Sequence, residues 1–179
     1  TVEEDGILGD VKIVTSMYFK DDRGWFAEVF RLSDFREMGI ISEIDQINHS
    51  YSKNSGTLRG LHYQDSPKEQ GKFVSCTKGS IFDVAVDIRK GSKTFGKWTG
   101  HILNPENRKS LWIPPGFAHG FVVTSNEAEV LYKTTNFYAP AAERCLNWNC
   151  PEVGIEWPVD MPILNERDAN APNLSDCEC

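Results

Sequence analysis

No run of about 18 consecutive apolar residues occurs in this chain, so nothing in it reads as a membrane-spanning helix. Positive charge is also in short supply: 19 Lys and Arg stand against 26 Asp and Glu, a net charge of −7. A general nucleic-acid binder is basic, so no nucleic-acid partner is expected, whereas an anionic small molecule needs only a local cluster of cations. Paired CxxC motifs are absent. The five cysteines include Cys145, Cys150, Cys177 and Cys179, whose spacing matches no zinc site, and they read as free thiols in a reducing cytosol. In that compartment the sequons at Asn48 and Asn173 carry no weight. There is no GxGxxG fingerprint for a dinucleotide, no repeat at solenoid spacing and no low-complexity linker. The first ten residues are acidic and lack an apolar core, so they do not read as a secretory signal. A cytoplasmic protein with no membrane partner is the expectation.

What is present is ordinary globular material. With 179 residues, 40% hydrophobic and 25% charged, the chain fits one domain spanning residues 1–179 with a full core. Strand-like segments follow one another at 11–19, 25–31, 43–51, 57–64, 71–77, 80–89, 97–104, 109–114, 119–124 and 127–135. The clearest alternation runs from Ile81 to Arg89: Phe82, Val84, Val86 and Ile88 share a face that should be buried, with Asp83, Ala85, Asp87 and Arg89 opposite. Lys78-Gly79 reads as the hairpin turn before it. Pro114-Pro115-Gly116 cannot lie mid-strand and should deliver 117–124 onto a new strand. A helix is expected over Ser33 to Met38, capped by Ser33 and ended by Gly39, with another short one near 166–170 after an irregular stretch beginning at Pro140. About ten short strands and little helix predict an all-β fold, a jelly-roll, cupin-like double-sheet barrel.

Such barrels often hold a metal through an HxH pair, a Glu and a later His. Here the first slot reads His62-Tyr63-Gln64, and only the later PxGxxH slot, ending at His119, is filled. One His without partners of the right type is a poor metal site, so no metal is expected and the polar groups must do acid–base work. A histidine side chain can accept a proton near neutral pH, which makes His62 a candidate general base, although a strand His is equally a structural residue on spacing alone. Arg59 should point away from His62 on a regular strand; a bulge or twist at Gly60 would let both serve one site. Lys72 shares a face with Val74 and Cys76 and can stabilise an oxyanion if it points inward, or sit at a solvated strand end. Tyr132 can donate a proton or simply pack in the core. Arg23 and Arg167 are further fixed charges, and for a single Arg a surface position is the safer reading.

These residues together resemble the dTDP-4-dehydrorhamnose 3,5-epimerase family. The matching stretches run from Phe19 to Asp168: the segment Asp21 to Glu28, Gln46-Ile47-Asn48, Leu58-Arg59-Gly60-Leu61-His62-Tyr63-Gln64, Gly71-Lys72, Asp83 to Arg89, Ile113-Pro114-Pro115-Gly116-Phe117-Ala118-His119-Gly120-Phe121, and Asn165 to Asp168. The resemblance implies an isomerase without cofactor that epimerises a dTDP-4-keto-6-deoxy sugar at C3 and C5. It implies His62 as the base, Asp168 as its supporting carboxylate, Lys72 at the enolate oxygen and Tyr132 as the acid. It further implies Arg23 and Arg59 on the pyrophosphate, and Phe19, Glu28, Gln46, Asn48, Tyr138 and Glu143 on the nucleotide and sugar. His119 would line the pocket, and Arg167 would contact phosphate or nucleotide. The family ending LSxxD appears here as Leu164-Asn165-Glu166-Arg167-Asp168. The active unit would be a homodimer in which N-terminal residues such as Phe19, Arg23 and Glu28 reach into the neighbouring subunit's site. A one-centre epimerase, a metal-dependent cupin enzyme and a silent sugar-binding barrel are the competing readings.

Overall fold

Two long antiparallel strands organise the molecule, which we describe from a computed structural model covering residues 1–41 and 43–177. They are β7 (Lys72–Asp87) and β10 (Phe117–Thr134), paired from Phe117↔Asp87 at one end to Thr134↔Lys72 at the other. The ladder slips between Val123 and Ala128 and again between Glu129 and Val130. At the slip Gly79 has φ +74°, and a Cβ there would meet the Glu127 carbonyl at 2.0 Å. Ser125 Oγ accepts the Ser80 N–H at 2.8 Å, so that donor keeps a partner where the ladder breaks. A strand pair bent in this way passes from one layer of a double sheet to the other.

On the first side of the bend, β10 pairs with β5 (Gln46–Ser52), and β7 with β9 (Lys109–Ile113). The ladder then extends to β2 (Lys12–Thr15) and β1 (Val2–Glu4). On the second side β7 pairs with β8 (Trp98–Leu103), and β10 with β6 (Leu58–Gln64), which carries the short β11 (Glu143–Cys145). Between the layers Val74, Val130, Leu111 and Ile113 meet Ala85, Leu103, Phe117 and Phe121 in one core. A separate hairpin of β3 (Phe19–Asp21) and β4 (Gly24–Phe26) stands apart from these ladders. This is the expected all-β, cupin-like double-sheet barrel.

Three local expectations need correcting. Lys78-Gly79 is not a hairpin turn: both flanking segments pair with β10, so 71–77 and 80–89 form one strand, as do 119–124 and 127–135. The Asp83 face of β7 is not the open one. Residues from Leu146 to Leu174 cover Val84, Val86 and Ile88 from outside, while Ala85 enters the inner core and Asp83 is fully buried. The early helix, α1 (Leu32–Glu37), starts one residue sooner than expected with Arg31 at its cap and no side-chain cap bond. Packing sets its position, because Phe35 is buried edge-on against Phe73 at 5.0 Å. Gly39 does follow its end, at φ +67°.

The feature that positions the site lies in β6. His62 pairs with His119 and Arg59 with Phe121, so three steps on β6 match two on β10. One residue is extra, a β-bulge at Gly60 and Leu61. Without it Arg59 and His62, three apart, would point to opposite faces; the bulge returns both to the inner one. Gly60 has φ +119°, and a Cβ there would meet Gly120 Cα at 2.6 Å and the His119 carbonyl at 2.7 Å. Gly60→Ala is therefore expected to lose about 1–3 kcal/mol of stability in urea unfolding. Gly6→Ala, with nothing within 4 Å of the new Cβ, should change it by less than about 0.5 kcal/mol.

Candidate active site

At one end of the barrel the inward positions change from apolar to polar. The face of β7 that buries Val74 and Cys76 ends in Lys72; the face of β10 that buries Val130 continues through Tyr132 to the buried Thr134. Gln46, Asn48 and Ser50 are the half-buried alternates of β5; on β6 His62 is half-buried and Gln64 is buried. They line two adjoining compartments of about 200 and 250 Å³ that share His62, Lys72, Tyr132 and Glu143. Arg59, His119, Phe121, Arg167 and Asp168 line the second.

The His62 ring meets Asp168 through Nε2 and Oδ1 at 2.7 Å. Asp168 is 1% exposed, and its Oδ2 accepts the Gly60 N–H at 3.0 Å, so the bulge also supplies a donor. Asp168 sits on α2 (Glu166–Ala169), whose cap Asn165 accepts the Asp168 N–H at 2.7 Å. Ile163 bonds to Leu58 and bridges to Thr57, which holds this segment against β6. Burial alone would raise the Asp168 pKa, but the bonds from His62 and Gly60 and the nearby charges of His62 and Arg167 outweigh it and hold the carboxyl below its usual range. An ionised carboxylate only accepts, so the contact places a proton on His62 Nε2, and the neutral tautomer with that proton leaves the lone pair on Nδ1. Arg167 Nη2 lies 3.1 Å from the same Nε2, but its guanidinium donates to Glu143 through Nη1.

Lys72 is 8% exposed, and its Nζ donates to the His62 carbonyl at 3.3 Å. Burial pushes its pKa down to about 8, against the opposing pull of the Asp83 and Glu143 carboxylates. Asp83 bonds His119 Nε2 at 2.8 Å through Oδ1, while its Oδ2 finds no partner among the described residues. His119 is held below the usual histidine range chiefly by burial, with the charges of Lys72 and His62 adding to it and Asp83 opposing it. The Tyr132 phenol is raised by burial, against the charge of Arg59. Arg59 is steadied by Ser52 Oγ and the Tyr51 carbonyl, each at 3.1 Å. At the rim Tyr138 donates to Glu143 at 2.8 Å, and Gln46 accepts the Tyr138 N–H at 3.0 Å and donates to Asn48 at 2.8 Å.

Eleven of the residues singled out in the sequence thus meet in one cleft: His62, Lys72, Tyr132, Asp168, Gln46, Asn48, Arg59, His119, Tyr138, Glu143 and Arg167. Phe19, Arg23 and Glu28 do not join them within this chain. Phe19 and Arg23 are exposed on or beside the β3–β4 hairpin, Arg23 is paired with Asp21 at 2.6 Å, and Glu28 is paired with Arg31 at 2.8 Å. Sequence reasoning missed Asp83, which alternation assigned to the wrong face, and Asn165, whose Asn-x-x-Asp spacing is a helix-cap signature. Gln64 was also overlooked as a brace; it bonds the backbones of Lys68, Phe137 and Ala139. Among the described residues, His62, Cys145 and Asp168 bring a nitrogen, a sulfur and a carboxylate oxygen within 4.8 Å of one another.

A cupin-like barrel holds a carboxylate-supported imidazole, a buried ammonium and a phenol around one polar cleft, a set suited to moving protons on a bound ligand. The model of the family described as dTDP-4-dehydrorhamnose 3,5-epimerase matches residues 6–176. The dTDP-4-dehydrorhamnose 3,5-epimerase of Shigella flexneri is 51% identical, over 96% of this chain and 94% of its own; that of Pseudomonas aeruginosa is 51% identical, over 96% and 95%. Among solved structures, the 3,5-epimerase of Legionella pneumophila in complex with dTDP-4-keto-L-rhamnose superposes with a TM-score of 0.93 at 43% identity, over 98% of this chain and 93% of its own. The Bacillus anthracis enzyme with TDP and PPi bound gives 0.93 at 39% identity, over 97% and 98%. The chain belongs to the dTDP-4-dehydrorhamnose 3,5-epimerase family, and it is an isomerase acting on a nucleotide sugar.

The buried ammonium sets a stability prediction. A folded-state pKa of about 8, below the ordinary 10.5, means that charge on Lys72 opposes folding at neutral pH and that the penalty fades as pH rises from about 8 toward 10.5. Lys72→Met should stabilise the protein by roughly 1–3 kcal/mol at pH 7 and by less at pH 10 in urea unfolding, while its turnover collapses.

Proposed function

We propose that this chain converts dTDP-4-dehydro-6-deoxy-D-glucose into dTDP-4-dehydro-L-rhamnose, on the route to dTDP-L-rhamnose, by inverting C3 and C5. The observation that carries this is the His62–Asp168 pair sharing a cleft with Lys72 and Tyr132. A carbon-bound proton beside a ketone is weakly acidic, and the enolate is the costly species. His62 Nδ1 removes the proton from one face of the sugar, and Asp168 stabilises the imidazolium that forms. The Lys72 ammonium meets the negative charge growing on the C4 oxygen; a donor so placed contributes about 3–4 kcal/mol. Tyr132, kept protonated by burial, returns a proton from the opposite face. Base and acid each supply roughly 10²–10⁴-fold. No electrons leave the sugar, so the reaction needs no redox cofactor, and no metal is assigned to it.

Arg59 and Arg167 are cations suited to the pyrophosphate side of the cleft, with His119, Gln46, Asn48, Tyr138 and Glu143 on the sugar and nucleotide. The bound product in the Legionella relative and the diphosphates in the Bacillus relative support a dTDP-sugar ligand. Phe19, Arg23 and Glu28 act in a homodimer, each serving the partner's cleft, which accounts for their distance from the cleft of their own chain. The enzyme works as one domain in the cytoplasm, the reducing compartment suited to its cysteine content. Separately, no described helix is long and apolar enough to cross a membrane.

Solved neighbours also include a 3'-monoepimerase from Streptomyces bikiniensis, at 34% identity with a TM-score of 0.89, so the number of centres inverted needs direct measurement. In deuterated water, turnover of dTDP-4-keto-6-deoxyglucose is expected to place label at both C3 and C5; label at C3 alone would establish the one-centre enzyme. His62→Ala should abolish exchange at both carbons. Retained exchange in that variant would remove His62 as the base. Tyr132→Phe should lower inversion by about 10²-fold or more while His62-dependent exchange persists. Mixing Arg23→Ala with His62→Ala subunits tests the shared site: exchange of subunits should restore part of the activity that each variant lacks alone, and no recovery in verified mixed dimers would place Arg23 outside the partner's cleft.

A further inference from the structure

Cys145 takes no part in the chemistry above, yet it lies against the proposed base. It is the cross-strand partner of His62 in the β11–β6 ladder, so their side chains stand side by side on one face of the sheet. Its Sγ, a nitrogen of the His62 ring and a carboxylate oxygen of Asp168 all lie within 4.8 Å of one another. We propose that Cys145, His62 and Asp168 form an inhibitory site for a thiophilic divalent cation of the Zn²⁺ type, which switches the epimerase off by occupying its base.

The donor set chooses the metal. One thiolate, one imidazole and one carboxylate are the ligand types of zinc, with a fourth position left to water; Mg²⁺ and Ca²⁺ take oxygen ligands. With bonds of about 2.0–2.3 Å, tetrahedral ligand atoms stand roughly 3.3–3.6 Å apart. The His62–Asp168 pair, now at 2.7 Å, opens slightly and the thiol closes in. Charge also balances: the cation with one thiolate and one carboxylate is neutral, which suits a carboxylate as buried as Asp168. On binding, the Cys145 thiol releases its proton to solvent and the His62 proton passes from Nε2 to Nδ1. Nδ1 then has no lone pair for the sugar, so turnover stops. Arg167 opposes entry, since its Nη2 sits 3.1 Å from the His62 nitrogen. It is half exposed and anchored at the rim by Glu143, so it can turn outward without disturbing the barrel.

This inference rests on His62 being the base, so binding and turnover are read separately. The test uses intact protein freed of metal by a chelator and kept reduced with a non-thiol phosphine. Cd²⁺ is the optical probe, through the ultraviolet charge-transfer band of a cadmium thiolate; Zn²⁺ is the kinetic probe, with Mg²⁺ as control. The expected result is one equivalent of the Cd²⁺ band, inhibition by Zn²⁺ that a chelator reverses, and no effect of Mg²⁺. Cys145→Ala, on a short edge strand outside the core clusters, should keep its metal-free turnover. It should lose the band and need at least ~10-fold more Zn²⁺ for half-inhibition, because even outer-shell losses at metal sites cost that much. Equal Zn²⁺ sensitivity in Cys145→Ala, or an unchanged Cd²⁺ band, overturns the site. A Cys145-dependent band with turnover unaffected by Zn²⁺ overturns the inhibition while leaving the epimerase reading intact.

Discussion

The backbone of β6 passes so close to β10 at Gly60 and Gly120 that neither position tolerates a Cβ, and the rest of the cleft depends on that contact. A Cβ on Gly60 would strike Gly120 Cα, and one on Gly120 would strike the Arg59 carbonyl at 2.7 Å. The bulge made there has two consequences. It moves Arg59 onto the inner face with His62, and it turns the Gly60 N–H toward Asp168. A regular strand would give the barrel the same core but would split the cation from the imidazole. The site is therefore a departure from ideal sheet geometry held in place by ideal sheet geometry around it.

Around that departure the polar groups are arranged in opposed pairs. Asp168 is paired with His62 and Asp83 with His119, with the Lys72 ammonium nearby. The carboxylates share one environment but differ in satisfaction. Asp168 has both oxygens bonded, whereas Asp83 leaves Oδ2 unpartnered among the described residues. A fully bonded carboxylate suits a fixed role, holding one tautomer of His62. The incompletely bonded one keeps negative charge available to the ammonium, which burial would otherwise neutralise. The cost of burying Lys72 is thus shared between Asp83, Glu143 and the barrel's own stability.

Much of this was legible in the residues. Strand periodicity and the missing HxH pair pointed to a double-sheet barrel doing acid–base work, and His62, Lys72 and Tyr132 do reach one cleft. The failures share a cause. Alternation reports that a strand has two faces but not which layer covers each, so Asp83 was assigned outward when the Leu146–Leu174 segment covers the other side. Lys78-Gly79 carries hairpin chemistry, yet the same positive φ serves a bend inside a sixteen-residue strand once β10 bends beside it. Ser33 is a good cap residue, but α1 is positioned by Phe35 against Phe73 rather than by its cap. In each case a tertiary partner distant in sequence decided between two locally acceptable conformations.

The proposed dimer follows from what the cleft of one chain lacks. Its described residues supply two imidazoles, an ammonium, three phenols and two guanidinium groups, which suit a keto sugar and part of a diphosphate. No tryptophan and no phenylalanine other than Phe121 lines the two compartments, although a nucleotide base presents a flat apolar face. The missing surface exists elsewhere in the same chain: Phe19, Trp25 and Phe26 stand exposed on the β3–β4 hairpin beside Arg23, whose guanidinium is paired with Asp21 next to it. Large exposed aromatics beside a weakly held cation are costly on a solitary chain and useful on one that lends them. In the proposed dimer base recognition would be tied to assembly, with the partner's hairpin bringing the aromatic face and the extra charge to a cleft that holds the acid–base groups.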